Sequence, residues 1–166
     1  MIIKKLVLPA IIALSLLCGL PAFNFAPQAC KAESKAQTTT KMPTVKINDQ
    51  EIKLEIAQTP QEIERGLMLR TSLAPDSGMV FLFNPPKQVN FWMYNCYISL
   101  DMIFVRDGKI IKICENVPPE RTKDYRKCPT YPPGEGIVVN QVIEVAGGYC
   151  QKKGIKEGDA VEFSLK

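Results

Sequence analysis

The sequence contains no histidine among its 166 residues. Histidine is the commonest metal ligand in proteins and the usual general base near neutral pH. Any catalysis by this chain must therefore use cysteine, carboxylate, lysine or tyrosine side chains. No cofactor is expected from the sequence.

The chain also lacks a strong charge of either sign, since its formal net charge is only +4. Lys4 and Lys5 are among the positive charges of a segment that we expect to be removed. No run of basic residues alternates with aromatic residues, which is the pattern typical of nucleic-acid binding. Nucleic acid is therefore not an expected partner.

A third absence is the Cys-x-x-Cys spacing, so a zinc ribbon or a thioredoxin-like redox motif is unsupported. Four cysteines lie beyond the N-terminal segment, and an even number in an exported chain predicts disulfides. Three pairings are open, with a free buried thiol at Cys114 as an alternative. A catalytic thiolate would have no histidine to activate it. The disulfide candidates are Cys96, Cys114, Cys128 and Cys150.

The N-terminus has the pattern of a secretory signal. Lys4 and Lys5 precede an almost wholly apolar stretch at residues 6–20, and small residues follow it. We therefore predict a signal peptide at residues 1–32 and export to the periplasm or the extracellular space. The alternative is a membrane anchor at residues 6–20, although about fifteen residues is short for a membrane span. In that case the N-terminal segment alone would contact the membrane.

A polar linker at residues 33–42 and a single domain at residues 43–166 are predicted to follow. Alternation of apolar and polar residues at 45–47 and 52–56 predicts a hairpin across Asn48-Asp49. Asp107-Gly108 predicts a second hairpin between residues 100–106 and 109–114. Further strands are predicted at residues 79–83, 89–95, 136–139, 142–145 and 160–165.

Only two short helices are predicted. Thr59, Pro60 and Glu62 form the pattern of a helix start with a capping box. A second short helix is predicted at residues 149–153, ended by Gly154, and residues 116–133 form a long proline-rich loop. Many short strands with two short helices predict a mainly β fold, a compact β-sandwich or barrel-like domain.

Several motifs in fixed order extend over residues 43–165 and together resemble the domain of unknown function 192 family. Tyr94, Cys96 and Ser99 depart from the usual pattern of that family, which has lysine at the first of these positions and proline at the last. The resemblance implies a compact β-rich fold, often behind a secretion signal, and no established reaction. The segments that carry it are residues 65–70, 78–81, 91–95, 100–104, 141–148 and 154–159.

Asp101 is the most unusual residue of the domain because it lies between Leu100 and Met102 in an apolar strand. A buried carboxylate is costly unless it is paired or hydrogen-bonded. Arg65 and Arg70 are the expected partners, since a guanidinium can hold a carboxylate with two hydrogen bonds. The pair would anchor a ligand, or it would be a structural ion pair. An outward-facing surface acid is the third alternative.

Trp92 and its neighbours could form an aromatic wall suited to a small organic ligand or a sugar. Strand alternation places Trp92 and Tyr94 on one face and Asn95 on the other, so ordinary core packing is the alternative. The preferred hypothesis is a non-catalytic module that binds an unknown small ligand or an extracytoplasmic protein. Its predicted ligand-binding residues are Arg65, Arg70, Trp92, Asn95, Asp101 and Tyr131.

Two other classes of function stay open. A hydrolase, for example a carbohydrate-active enzyme, could use Asp101 with Glu115 or Glu144, provided that two carboxyls face each other across a cleft. A soft-metal site for Cu(I) could instead use thioethers with a thiol, although these residues also suit core packing. The methionines concerned are Met68, Met79, Met93 and Met102.

The predicted export is tested by the intact mass of the protein secreted by its native host. The mass is expected to begin after about residue 22 or 32, where small residues offer cleavage sites. Alkylation with and without reductant counts the disulfides in the same spectrum. An uncleaved chain with every thiol free would contradict the predicted export and the predicted disulfides.

Overall fold

The computed structural model of the protein describes residues 42–164. The predicted signal peptide, the alternative anchor at residues 6–20 and residues 33–41 of the predicted linker lie outside the described part. Neither helix between residues 42 and 164 is long and apolar enough to cross a membrane.

The domain is mainly β, as predicted, and its sheet curls into a half-barrel. Within residues 42–164 the two α-helices are α1 (Pro60–Arg65) and α2 (Tyr149–Lys153), and a single 3-10 turn spans Tyr125–Lys127. The strands are β1 (Thr44–Ile47), β2 (Gln50–Ala57), β3 (Ser77–Lys87), β4 (Phe91–Trp92), β5 (Leu100–Arg106), β6 (Lys109–Val117), β7 (Thr130–Tyr131), β8 (Val139–Ala146) and β9 (Val161–Ser164).

Seven strands form the main sheet in the order β6-β5-β8-β3-β2-β1-β9. Only β2 and β3 pair in parallel, and α1 lies in the connection between them. The two edge strands approach each other at one end, where Val161 N donates to Gly108 O at 2.9 Å. Ile110 N likewise donates to Asp159 O at 3.0 Å, so backbone hydrogen bonds close part of the curl.

Each face of the sheet is covered by its own apolar cluster. The inner cluster includes residues of both edge strands, such as Ile110 and Val161, together with Cys150 of α2. The outer cluster includes Phe81, Phe104 and the buried residues that follow β4. The central strands therefore bury side chains on both faces, which explains why residues 79–83 lack a polar side.

The local signals in the sequence predict most of the elements correctly. The hairpins β1–β2 and β5–β6 form across Asn48-Asp49 and Asp107-Gly108. Thr59 caps α1, and its hydroxyl accepts from Glu62 N while the Glu62 carboxylate accepts from Thr59 N. Helix α2 spans the predicted residues and ends at Gly154 in the left-handed conformation.

Two strand predictions are wrong. The strand predicted at residues 89–95 is only two residues long, because β4 pairs with β7 alone and the chain then turns at Asn95, which has a positive φ of 54°. The strands predicted at residues 136–139 and 142–145 correspond to one strand, β8, which begins only at Val139, so residues 136–138 lie outside it. The central position of β8 lets its backbone pair with β3 and β5 through most of its length.

The buried carboxylate of Asp101 joins α2 to the sheet. Its Oδ1 accepts from Asn116 N at 2.6 Å and from Gly148 N at 2.8 Å, and its Oδ2 accepts from Cys150 N at 2.7 Å. The residue is 0% exposed. Three backbone donors thus satisfy a charge that would otherwise be costly to bury.

Two glycines let the backbone reach this carboxylate. Gly148 adopts φ 80°, which an L side chain rarely tolerates, and it precedes the first residue of α2. A Cβ on Gly147 would collide with the Ser99 side chain and with Asn116 Oδ1. The Gly147-Gly148 pair is therefore a steric requirement of the Asp101 site.

Replacing Asp101 tests this account of the fold. Asp101→Asn is expected to lower the free energy of unfolding by about 2–4 kcal/mol, because hydrogen bonds to a charged group contribute about 1.5–3 kcal/mol each. The amide keeps one acceptor oxygen but presents N–H groups to a backbone donor. Asp101→Ala should cost more, since it leaves three backbone donors, including the buried Cys150 N–H, without their acceptor.

Urea unfolding measures these differences. Asp49→Asn, in the exposed β1–β2 turn, is the matched control and should leave the unfolding midpoint nearly unchanged. An Asp101→Asn midpoint equal to that of the control would contradict the proposed anchoring role.

Candidate functional site

A cavity of about 560 Å³ opens on the outer face of the sheet. Its sides come from α1 with the turn that follows it, from β3, and from the segment that includes β4. Phe81, Phe83 and Phe91 supply an aromatic wall, in which Phe91 meets both of the other rings edge to face. The volume is within the range of small-molecule binding sites.

Glu144 lines this cavity from β8. It is directly opposite Met79 of β3 and Met102 of β5, so the three side chains share the outer face of the sheet. The two methionines belong to the outer apolar cluster. Pairing of three strands from distant parts of the chain thus places a carboxyl group in apolar surroundings.

The Glu144 carboxyl is buried without compensation from the protein. The residue is 4% exposed, and among residues 42–164 no side-chain hydrogen bond or ion pair involves its carboxyl. Burial alone raises the pKa of Glu144 to about 8. The carboxyl is therefore mostly protonated at neutral pH, and it can donate a hydrogen bond or lose its proton to pair with a cation.

The mouth of the cavity carries polar and charged side chains. Glu64 and Arg65 reach it from α1, and Lys87 reaches it from the end of β3. The Lys87 ammonium lies over the Phe83 ring, 4.9 Å from its centroid. A cation is thus already held on one aromatic side chain of the cavity lining.

An aromatic groove of about 320 Å³ adjoins the cavity and shares Glu64, Arg65, Met68, Trp92 and Tyr94 with it. Tyr125, from the long loop, completes the groove. The Trp92 and Tyr94 ring centroids are 6.0 Å apart, and Tyr125 lies at 5.9 and 6.3 Å from them. The predicted aromatic wall therefore exists, but at the rim of the cavity.

The structure brings together two of the six predicted ligand-binding residues, Arg65 and Trp92. Arg70 instead forms a two-pronged ion pair with Glu55. That pairing raises the pKa of Arg70 and lowers the pKa of Glu55, in each case mainly through the hydrogen bonds between the two side chains. The remaining guanidinium, Arg65, is exposed at the mouth.

The other predicted residues lie away from the cavity lining. Asn95 acts through its backbone, since its carbonyl accepts from Leu69 N at 2.8 Å. Tyr131 pairs with Phe91 across β7 and β4 and packs against the outer cluster. The pairing of Asp101 with Arg65 or Arg70 is wrong, because backbone amides satisfy the carboxylate on the inner side of the sheet.

The two buried acids do not face each other. Asp101 is opposite Val145 in the β5–β8 register, whereas Glu144 is opposite Met102. Adjacent residues of a strand point to opposite faces. The Asp101–Glu144 pair suggested for a hydrolase is therefore split by the sheet. Glu115, the other suggested partner, is exposed on β6.

The four described cysteines are free thiols, and no two of them lie at disulfide distance. The predicted disulfides are therefore absent from the structure. Cys150 belongs to the inner cluster and Cys96 to the outer cluster, so the sheet separates these two thiols, while Cys128 is buried at the end of the long loop. Cys114 lies on β6 and packs against the outer cluster.

Cys96 also lines the cavity, but as a protonated thiol. Burial first, and then the nearby Glu144 and Cys128, raise the pKa of Cys96 to about 12. A thiol of this kind is a weak nucleophile at neutral pH. Within residues 42–164 no group of three or more cysteine or acidic side chains is arranged to hold a metal ion.

The fold and the site together define a curled β half-barrel with a ligand-sized cavity on its outer face. The sequence profile of the DUF192 family, described as "Uncharacterized ACR", matches residues 43–163. The chain belongs to this family of uncharacterised proteins. The resemblance seen in the motifs is thereby confirmed.

Two solved structures are similar to the chain. A protein of unknown function from Novosphingobium aromaticivorans DSM 12444 has 36% identity and a TM-score of 0.63, over 72% of this chain and 82% of its own. A proposed transcription regulator from Sinorhizobium meliloti 1021 has 31% identity and a TM-score of 0.62. The match covers 73% of this chain and 91% of the regulator. No curated protein is significantly similar to the chain.

The buried carboxyl predicts a pH-dependent stability. Its pKa is higher in the folded chain than the ordinary 4.5, so between these values the folded state binds more protons than the unfolded state. The Glu144 contribution to stability therefore falls as the pH rises from about 4.5 to about 8, and it stays low above that range.

Glu144→Gln removes this penalty. The variant is expected to exceed the parent chain in free energy of unfolding by on the order of 3 kcal/mol at pH 9, since one pKa unit corresponds to about 1.4 kcal/mol. At pH 5 the two chains should be nearly equal. Urea unfolding at pH 5, 7 and 9 measures the difference, with Glu51→Gln at an exposed position of β2 as the control. A difference that does not change with pH would contradict the raised pKa.

Proposed function

We propose that this DUF192 chain is an exported, non-catalytic module that binds a small organic ligand in the cavity on the outer face of the sheet. The observation that carries the proposal is an uncompensated buried carboxyl, Glu144, lining a cavity of about 560 Å³. An apolar cavity with one well-placed polar group is the usual form of a small-molecule site.

The absence of a nucleophile–base pair in the described cavity supports binding over catalysis. Cys96 is the only thiol in its lining, and its raised pKa keeps it protonated. The nearest counterpart, Glu144, is itself mostly protonated at neutral pH. A carboxyl with such a pKa can transfer a proton, but the described lining holds no serine, no threonine and no ionised thiol for it to activate.

The size of the site suggests a ligand that extends from the cavity into the aromatic groove. Arg65 and Trp92 lie at the junction of the two spaces, where they can contact the part of the ligand that leaves the cavity. Export is supported by the signal pattern at residues 1–32, and it places the ligand outside the cytoplasm.

Filling the cavity tests the binding function. Met68→Trp adds a large ring to a side chain that lines both the cavity and the groove, while Met42→Trp makes the same change at an exposed residue that lines neither. A set of fluorinated aromatic fragments, charged and neutral, is mixed with each chain and followed by ¹⁹F NMR.

At least one fragment is expected to bind the parent chain and the Met42→Trp control alike, and to lose about tenfold or more in affinity with Met68→Trp. A loss of that size corresponds to about 1.4 kcal/mol. If fragments bind all three chains equally, or bind none of them, the cavity is not the binding site and the proposal fails.

A further inference from the structure

We infer that the ligand of the cavity carries a protonated amine, which forms an ion pair with the Glu144 carboxylate while an apolar body packs on the phenylalanine wall. This inference rests on the proposed function of the cavity, and it names the chemical class of the ligand.

The first reason is the missing partner of Glu144. The other buried carboxylate in the described domain belongs to Asp101, and it is satisfied because it accepts three backbone hydrogen bonds. Burial removes water from the Glu144 carboxyl, and no hydrogen bond or ion pair with the described residues replaces that water. A neutral amide or hydroxyl would hydrogen-bond an uncharged ligand at lower cost. A carboxyl has an advantage over these neutral groups only when the ligand is a cation that pairs with the ionised carboxylate.

The second reason is the surface around the carboxyl. Met79 and Met102 flank Glu144 in the sheet and carry no charge. Phe81, Phe83 and Phe91 present aromatic rings to the same cavity, and aromatic faces attract ammonium groups. The Lys87 ammonium over Phe83 shows that one of these rings already accepts a cation.

The charged and titratable groups around the cavity determine how binding should vary with pH. Tyr94 and Cys96 are the titratable residues on the segment after β4, and the Cys96 thiol stays protonated in the working range. Arg65 and Lys87 lie exposed at the mouth, where water screens their repulsion of a cation, and Glu64 there has the opposite sign. The titratable groups that line the cavity are Glu64, Arg65, Lys87, Tyr94, Cys96 and Glu144.

A protonated amine binds only the ionised form of Glu144, so binding at neutral pH must release the carboxyl proton to solvent. The affinity should therefore rise with pH until the carboxyl is ionised in the free protein, at about pH 8. Below that value each pH unit lowers the ionised fraction about tenfold. A neutral ligand that accepts a hydrogen bond from the protonated carboxyl should show the opposite trend.

The test compares benzylamine with benzyl alcohol, which has nearly the same size and shape but no charge. Both are titrated by NMR into the full chain expressed in its own host, at pH 6 and pH 8. Benzylamine is expected to bind at least about tenfold more tightly at pH 8 than at pH 6, and more tightly than benzyl alcohol at pH 8.

Glu144→Gln is the decisive variant, and its expected higher stability keeps it folded. It should lose at least about tenfold in benzylamine affinity at pH 8 together with the pH dependence, while benzyl alcohol changes by less than about threefold. Glu51→Gln should behave as the parent chain does. Equal binding of the two probes, or unchanged benzylamine binding by Glu144→Gln, overturns the inference.

Failure of the inference is distinguishable from failure of the proposed function. If neither probe binds the parent chain, the amine assignment is overturned. The cavity is then still a ligand-binding site only if the fluorinated fragments bind the parent chain and Met68→Trp weakens that binding.

Discussion

The structure depends on the burial of the Asp101 carboxylate by three backbone N–H groups. One donor comes from β6, and two come from the start of α2, so a single side chain on β5 ties together three elements. The arrangement is possible only because Gly147 lacks a Cβ and Gly148 takes a positive φ. A charge that would oppose folding if it were left alone thus becomes the link between the last helix and the sheet.

Glu144 is also a buried acid, on the other face of the same sheet, but its carboxyl accepts no hydrogen bond from the described residues. Its carboxyl is buried without a hydrogen bond or ion pair from the described residues, so burial opposes its ionised form. Uncompensated polar groups of this kind cluster at functional sites, where a ligand supplies what the protein omits. The contrast between the two acids separates a structural carboxylate from a candidate functional one.

The same sequence signal marked both acids, since each is a lone carboxylate between large apolar residues in a strand. Asp101 lies between Leu100 and Met102, and Glu144 lies between Ile143 and Val145. From the sequence, Asp101 is the expected ligand anchor, and Glu144 is only its possible partner in a hydrolase. The signal was sufficient to find both residues, but it could not show which face of the sheet each one occupies or which donors lie there.

The sequence by itself determined the local elements. The two hairpin turns, the Thr59–Glu62 capping box and the end of α2 at Gly154 each arise from residues within a few positions of one another, where steric limits and short-range hydrogen bonds decide. The family motifs likewise indicated the β-rich fold. Only the tertiary structure decided the site, because the row formed by Met79, Glu144 and Met102 depends on the register of strands that are distant in the chain. It also decided that Arg70 would pair with Glu55, since the β2–β3 arrangement, and no local pattern, brings that acid within reach.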